Sequence, residues 1–439
     1  MATSLRWRIA VLLSAAIAIS YFDRQTLPVA IAAIQREIPV SNTQFSQLQA
    51  YFLIAYAVMY AGGGKLMDAL GTRAGFAWIM LWWSLACASH GFARNFAMLA
   101  ASRLLLGAGE GGGFPAATKA VAEWFPTRER STAMGIINAG TALGAVIAPP
   151  AISLIVTGLS WRWVFFTSGA IGAVWTAFWW RRYRPAHSHP ELSAAERVVI
   201  AEAIEHTRED EGRHGGWFRL FAYREVWGLV SAKFLSDAAW YFYLFWLPKY
   251  LYDARGFDIK AVGTFAWIPY AFSGVGSLCG GWFSSHLLRR GHSLNFARKV
   301  ALGASAAVMP CVLLIDRAPV SLAILLFGVA FFGQQSWSTL VMILPTDLFP
   351  HRAVGSVAGL VGFGGAMGGA VFGIVVGYLL DHGFGYGPVF LAVGTFHVAA
   401  FLIILLTVRR VAPVDWGRAV NVTPPRTGQR RSGNPECRY

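Results

Sequence analysis

Two pairs of charged residues interrupt stretches that are otherwise apolar. Asp23 and Arg24 stand side by side in the run from Arg8 to Ala30, and Arg103 and Glu110 fall in a later apolar run. A charged side chain at the centre of a bilayer costs about 2.5–3.5 kcal/mol even on the gentler insertion scales, so such residues mark function by default. Adjacent helix residues do not face each other, so Asp23 and Arg24 require separate partners. Arg103 and Glu110 are seven residues apart, two turns and ~10.5 Å along one helix face. They are expected to look into one cavity at different depths. Two cations and two carboxyls at membrane depth suit an anion whose movement is tied to protons. The arginines would pair with the anion, and Asp23 and Glu110 are the candidates for proton uptake and release. Burial and a neighbouring guanidinium act on a carboxyl in opposite senses, so proton release can follow occupation of the arginines.

A second tier of residues would complete such a cavity. Tyr21 and Tyr56 offer hydroxyls to a polyol and ring faces to its C–H edges. Lys233 and Asp237 form an i,i+4 pair in a later apolar run; the lysine either grips a carboxylate or is neutralised by its neighbour. Trp240 and Tyr241, with Gln334, Gln335, Ser336 and Trp337, supply a polar and aromatic lining of the kind that small-ligand sites combine.

Twelve apolar segments must carry these groups. Of 439 residues, 56% are hydrophobic and 13% charged, about half the charge of a soluble domain. Runs of about 20 apolar residues have the length that crosses a bilayer. They predict an all-α integral membrane protein with spans near 7–31, 46–67, 75–93, 97–121, 130–157, 161–180, 225–251, 260–287, 299–315, 319–343, 353–379 and 387–408. The first run is too long, and too charged, for a cleaved signal. Residues 1–180 form a first six-helix bundle, 181–224 a polar linker, 225–410 a second bundle and 411–439 a disordered basic tail. Arginines cluster on the side holding the termini and linker, and the positive-inside rule makes that side cytoplasmic. The net charge of +15 is therefore a topology signal and calls for no nucleic acid.

The chain also repeats itself. Trp124-Phe125-Pro126-Thr127-Arg128 returns as Leu348-Phe349-Pro350-His351-Arg352, and Gly135, Gly140 and Gly144 match Gly359, Gly364 and Gly368 at the same offset of 224. Asn138 is the polar member of a repeat pair whose counterpart is Gly362. Two halves related by a pseudo-two-fold repeat form a transporter architecture, with the substrate bound between them at mid-membrane. The glycine-rich stretches near Gly111 and Gly365 are packing devices; without a Gly-Lys-Ser/Thr ending they are no phosphate loop. The four cysteines have no metal or disulfide spacing, and no nucleophile–base constellation suggests an enzyme.

Gly64-x-Leu66-x-Asp68-x-x-Gly71-x-Arg73 resembles the loop signature of the major facilitator superfamily, which implies that fold and a gating role for Gly64, Asp68, Gly71 and Arg73. Tyr21-Phe22-Asp23-Arg24-Gln25, Arg103 with Glu110, and Glu123-Trp124-Phe125-Pro126-Thr127-Arg128 resemble the anion:cation symporter group, most of all its hexuronate transporters. That resemblance implies substrate contact for Arg24 and proton coupling through Asp23. It implies import of a sugar acid such as D-galacturonate or D-glucuronate across the inner membrane, with protons as coupling ion and no other cofactor. The expected partners are a small anionic substrate and the lipid bilayer, and the expected state is a monomer. Another organic anion, anion exchange, or a non-transporting sensor are the alternatives.

Overall fold

The computed structural model describes residues 5–186, 189–192, 196, 198, 200 and 217–414; the side chains at 64, 65, 68, 127, 128, 131, 217, 218, 351 and 352 also stand outside the description. The tail from residue 415 lies outside the described residues, as does Ser193, which with Glu196 three residues later has the pattern of a capping start for a short linker helix. The first half comprises α1 (Leu5–Ile34), α2 (Asn42–Leu70), α3 (Thr72–Ser89), α4 (Phe96–Glu110), α5 (Gly113–Trp124), α6 (Thr127–Gly158) and α7 (Trp161–Arg182). The second comprises α8 (Arg224–Arg255), α9 (Ile259–Phe265), α10 (Trp267–Arg289), α11 (Leu294–Ala307), α12 (Val320–Leu348), α13 (His351–Asp381) and α14 (Gly387–Thr407). Among the described residues there is no strand.

Among the described residues these fourteen helices make twelve spans because two spans are broken. Span four divides into α4 and α5 at Gly111-Gly112. A Cβ on Gly111 would lie 2.4 Å from the Tyr56 carbonyl oxygen and one on Gly112 2.5 Å from Ile79, so glycine permits this close approach to α2 and α3. Span eight breaks at Ala266, just before Pro269, which has no N–H to continue the ladder. Among the described residues six helices are apolar enough to cross a membrane by length and hydropathy alone. α8 carries Lys233, Asp237, Lys249 and Asp253 within its length.

The repeat has a structural counterpart. Pro126 and Pro350 cap α6 and α13 in the same extended conformation, with φ/ψ of −63°/151° and −61°/148°. Gly140 and Gly144 bring α6 onto the Ser14 and Ala18 carbonyls of α1, and Gly364 and Gly368 bring α13 onto the Val230 and Phe234 carbonyls of α8. Each half is therefore built round the same backbone approach.

The halves meet at the end opposite the termini. There Tyr252 Oη donates to Val29 O at 2.6 Å and Ser153 Oγ to Ile259 O at 2.8 Å. Phe45 packs edge-on against Trp246 with centroids 4.9 Å apart. The Asn42 and Thr43 amides of α2 donate to the Asp381 carboxylate of α13 at 3.0 and 2.7 Å. This seam reaches as far as Tyr60, 3.2 Å from where a Cβ would stand on Gly362. Beyond it, Gly62, Gly135, Gly355 and Gly359 face open space. The gap between the halves thus opens toward the end that carries the termini.

Candidate functional site

The closed end of that gap is lined from the first half by α1, α2 and α4. Arg24 Nε lies 2.8 Å from Glu110 Oε2, and Ser20 Oγ, one turn before Arg24, donates to the same oxygen at 2.6 Å. Aromatic faces surround the guanidinium, with Tyr21, Tyr56 and Phe52 centroids 4.6, 4.7 and 5.5 Å away. Such faces favour a cation electrostatically where water is excluded. Asp23 turns the other way, accepting hydrogen bonds from Ser168 of α7 and from Cys87 of α3. Arg103 donates to Gln49 of α2 and lies 4.9 Å above the Phe52 ring. Arg103 Nε and Nη1, Asp23 Oδ2 and Glu110 Oε1 are buried with no hydrogen-bond partner among the described residues. Polar atoms in that condition are costly unless something else engages them.

The second half faces this cluster with a stripe along α8. Lys233, Asp237, Tyr241 and Phe245 recur every four residues and so share one helix face. Lys233 Nζ lies 2.9 Å from Asp237 Oδ1 and donates to Ser338 Oγ of α12 at 2.8 Å. Gln334 Nε2 approaches the same Asp237 oxygen at 3.5 Å. The Gln334 amide oxygen meets Nε2 of His397 on α14; that oxygen can only accept, so Nε2 carries the proton. Tyr241 stacks on Phe245, 5.6 Å between centroids, and Phe245 lies 6.0 Å from the Arg103 guanidinium.

Several expected lining residues sit elsewhere. Trp240 packs on Phe331 of α12. Ser336 bonds to Ser305 of α11. Trp337 is fully buried against His397 and Phe401. All three belong to the interior of the second half; Ser336, two residues from both Gln334 and Ser338, lies on the side of α12 away from α8. Gln335 is half-buried on α12. Asn138 is exposed, one turn before Ala142, which meets Gly274 of α10; its side chain stands where the halves have parted.

Of the four signature residues, Gly64 and Asp68 have side chains outside the described set. Gly71 closes α2 at φ +72°, a backbone conformation that favours glycine. Arg73 lies over the Trp180 ring at 4.6 Å and donates to its carbonyl at 2.6 Å, tying α3 to α7 inside one half. Sequence reasoning missed Gln25, Gln49, Ser20, Ser168, Asp381 and His397. Gln25 is the instructive one: it directly follows Asp23-Arg24, yet it joins the halves by donating to Leu244 O at 3.2 Å and accepting from Tyr270 at 3.1 Å.

Comparison with known proteins decides the family. The Major Facilitator Superfamily profile matches residues 13–371. The chain belongs to this superfamily. It is a multi-pass membrane protein of a transporter fold, not an enzyme. It is 29% identical over 425 residues to the hexuronate transporter of Escherichia coli K12, covering 96% of this chain and 98% of that one. It is 29% identical over 404 residues to a probable galactarate/D-glucarate transporter of the same organism, covering 88% and 91%. The inward-open xylose transporter of E. coli superposes with a TM-score of 0.71 at 14% identity, covering 92% of this chain and 96% of that one, a likeness of fold.

Proposed function

We propose that this superfamily member imports a sugar acid by proton symport, moving between a state open to the outside and the state seen here. The termini and linker lie in the cytoplasm under this reading, so the described gap opens inward across the inner membrane. The observation that carries it is the Arg24–Glu110 pair, 2.8 Å apart and almost wholly buried at the closed end of the gap. A guanidinium held there by a carboxylate is available to a substrate carboxylate once the resident acid takes a proton. Glu110 would then release Arg24, and the anion would take its place in a bidentate, charge-assisted contact of about 1.5–3 kcal/mol. Asp23, beside Arg24 but bonded into α7 and α3, is the acid that would report protonation to helix packing rather than to the substrate.

The relatives' substrates named above, hexuronate and galactarate or D-glucarate, support a polyhydroxylated acid. Tyr21, Tyr56, Tyr241 and Asn138 are the groups around the gap suited to its hydroxyls. A monoanion entering with one proton moves no net charge. With two it also draws on the membrane potential, about 2.3 kcal/mol per charge per 100 mV.

The test is uptake of labelled D-galacturonate and D-glucuronate into proteoliposomes with and without an inward pH gradient, for the native chain and Asp23→Asn. Gradient-driven uptake that is lost in the variant, with counterflow exchange retained, is the expected result. Uptake that ignores the gradient and needs a preloaded anion would replace symport with exchange.

A further inference from the structure

We propose that Lys233 is a second anion-binding group of the translocation site, and that the preferred substrates are sugar diacids presenting one carboxylate to Arg24 and the other to Lys233. The proposal rests on the sugar-acid reading above and narrows its substrate class.

The placement follows from the internal symmetry. The matched glycine approaches pair Ser14 with Val230 and Ala18 with Phe234, so α1 and α8 share a register 216 residues apart. In that register Tyr21 corresponds to Asp237. Tyr21 lies against the Arg24 guanidinium, and Asp237 therefore occupies the matching position across the gap. Electrostatic interactions link Tyr21 with Asp237, and Tyr241 with both Arg24 and Asp237, consistent with groups that share one cavity.

Lys233 does not behave as a topology signal. A lysine near a helix end normally extends its ammonium toward the headgroups. Lys233 is nine residues from the start of α8, ~13.5 Å along the axis, and its ammonium turns deeper, to Asp237 and Ser338. Space is made for the pair: a Cβ on Gly365 of α13 would lie 2.2 Å from Asp237 Oδ2.

Charge balance then selects the ligand. Arg24, Arg103 and Lys233 face Asp23, Glu110 and Asp237, three cations against three carboxyls. A monoanion needs one carboxylate displaced and leaves the Lys233–Asp237 pair idle. A dianion displaces two, Glu110 from Arg24 and Asp237 from Lys233, and each displaced carboxylate accepts one proton. Diacid and two protons enter with no net charge, and a proton on Asp23 adds one positive charge. The titratable groups around Asp237 are Lys233 on its own helix, His397 of α14 through Gln334, Tyr21 of α1 and Tyr241 one turn along α8; α13 contributes Gly365 at this point. Among the described residues none supplies a second cation that would hold Asp237 ionised once Lys233 turns to the substrate: His397 carries its proton on Nε2, and a second one would have to sit on Nδ1, a buried atom with no hydrogen-bond partner there to offset the charge.

The experiment is calorimetric binding of galactarate and D-galacturonate to the full chain in nanodiscs, in buffers of different ionisation enthalpy so that proton uptake is counted. The native protein should favour galactarate and take up about one more proton with it than with galacturonate. Lys233→Gln should lower the galactarate-to-galacturonate affinity ratio about 10- to 100-fold, the size of one charge-assisted contact. Asp237→Asn should remove that extra proton and raise the ratio at neutral pH. If Lys233→Gln does not fold, the neutral double variant K233Q/D237N carries the same ratio test. An equal loss for both ligands in Lys233→Gln overturns the proposal, because a purely structural ion pair behaves that way. A native protein that binds galacturonate and not galactarate overturns it while leaving the sugar-acid reading intact. Binding of neither ligand overturns both.

Discussion

Asp381 should set how long the end opposite the termini stays shut. Its carboxylate lies on α13 and accepts the first two amide N–H groups of α2, at 3.0 and 2.7 Å, from the opposite half of the protein. It thus caps a helix it does not belong to, where the helix dipole also favours a negative charge. Removing an N-terminal capping group costs typically about 1 kcal/mol, with a range of about 0.5–2. The residue is exposed at the surface, so solvent screening keeps the value in the lower part of that range. When the halves part at this end, both bonds are lost and water replaces them, so the cost falls on the closed state alone. Asp381→Ala should therefore move the equilibrium toward opening at that end by about 2- to 5-fold. Spin labels placed on Arg94 and Arg317, exposed residues of opposite halves at the end away from the termini, report this in a cysteine-free background. The long-distance population should grow by that factor in Asp381→Ala and by less in Asp381→Asn, which keeps one acceptor oxygen. An unchanged distance distribution would refute the reasoning and leave the seam to its apolar contacts, such as Phe45 on Trp246.

Two further outcomes follow from the packing and the loop charges. Gly368→Ala would place a Cβ 2.0 Å from the Phe234 carbonyl oxygen, backbone against side chain with no flexible neighbour to yield. It should destabilise by about 1–3 kcal/mol and lower the melting temperature of the purified protein, whereas Gly359→Ala, with nothing within 4 Å, should not; equal melting temperatures would show that α13 and α8 are less closely packed. The Glu37 carboxyl, in the loop after α1, is held below its ordinary 4.5, chiefly by the hydrogen bond from Arg162, which outweighs the opposing effect of burial, with a further contribution from the Trp161 hydrogen bond. A depressed carboxyl contributes above its free pKa and loses its contribution as pH falls through the lowered value. Glu37→Gln should therefore leave the pH profile of uptake between roughly pH 5 and 8 unaltered, and a shifted profile would place Glu37 in the coupling machinery.

The site was legible in the sequence to the extent that its members are costly in lipid. Asp23, Arg24, Arg103 and Glu110 declare themselves because a charge in an apolar run needs a reason. Their supporting residues do not, since Ser20, Gln49 and Ser168 are common polar side chains that gain meaning through the atoms they touch. Trp240, Ser336 and Trp337 show the opposite error. A run of polar and aromatic residues predicts a lining, but successive residues on a helix point to different sides, and these three side chains face the interior of one bundle.

The sequence by itself determined the all-helical membrane class, because apolar length and sparse charge leave the backbone no other way to satisfy its hydrogen bonds in lipid. It also determined the two-fold plan, because the repeated Phe-Pro and spaced glycines impose the same cap and the same close helix approach in each half. Tertiary structure alone decided which charges meet: Arg24 with Glu110 across α1 and α4, Lys233 with Asp237 rather than with the membrane surface, Asp381 with the start of α2. It alone decided which end is shut. Pairing between distant residues depends on helix rotation and on the relative placement of two rigid halves. One sequence supports more than one such placement, so the local pattern of residues cannot encode it.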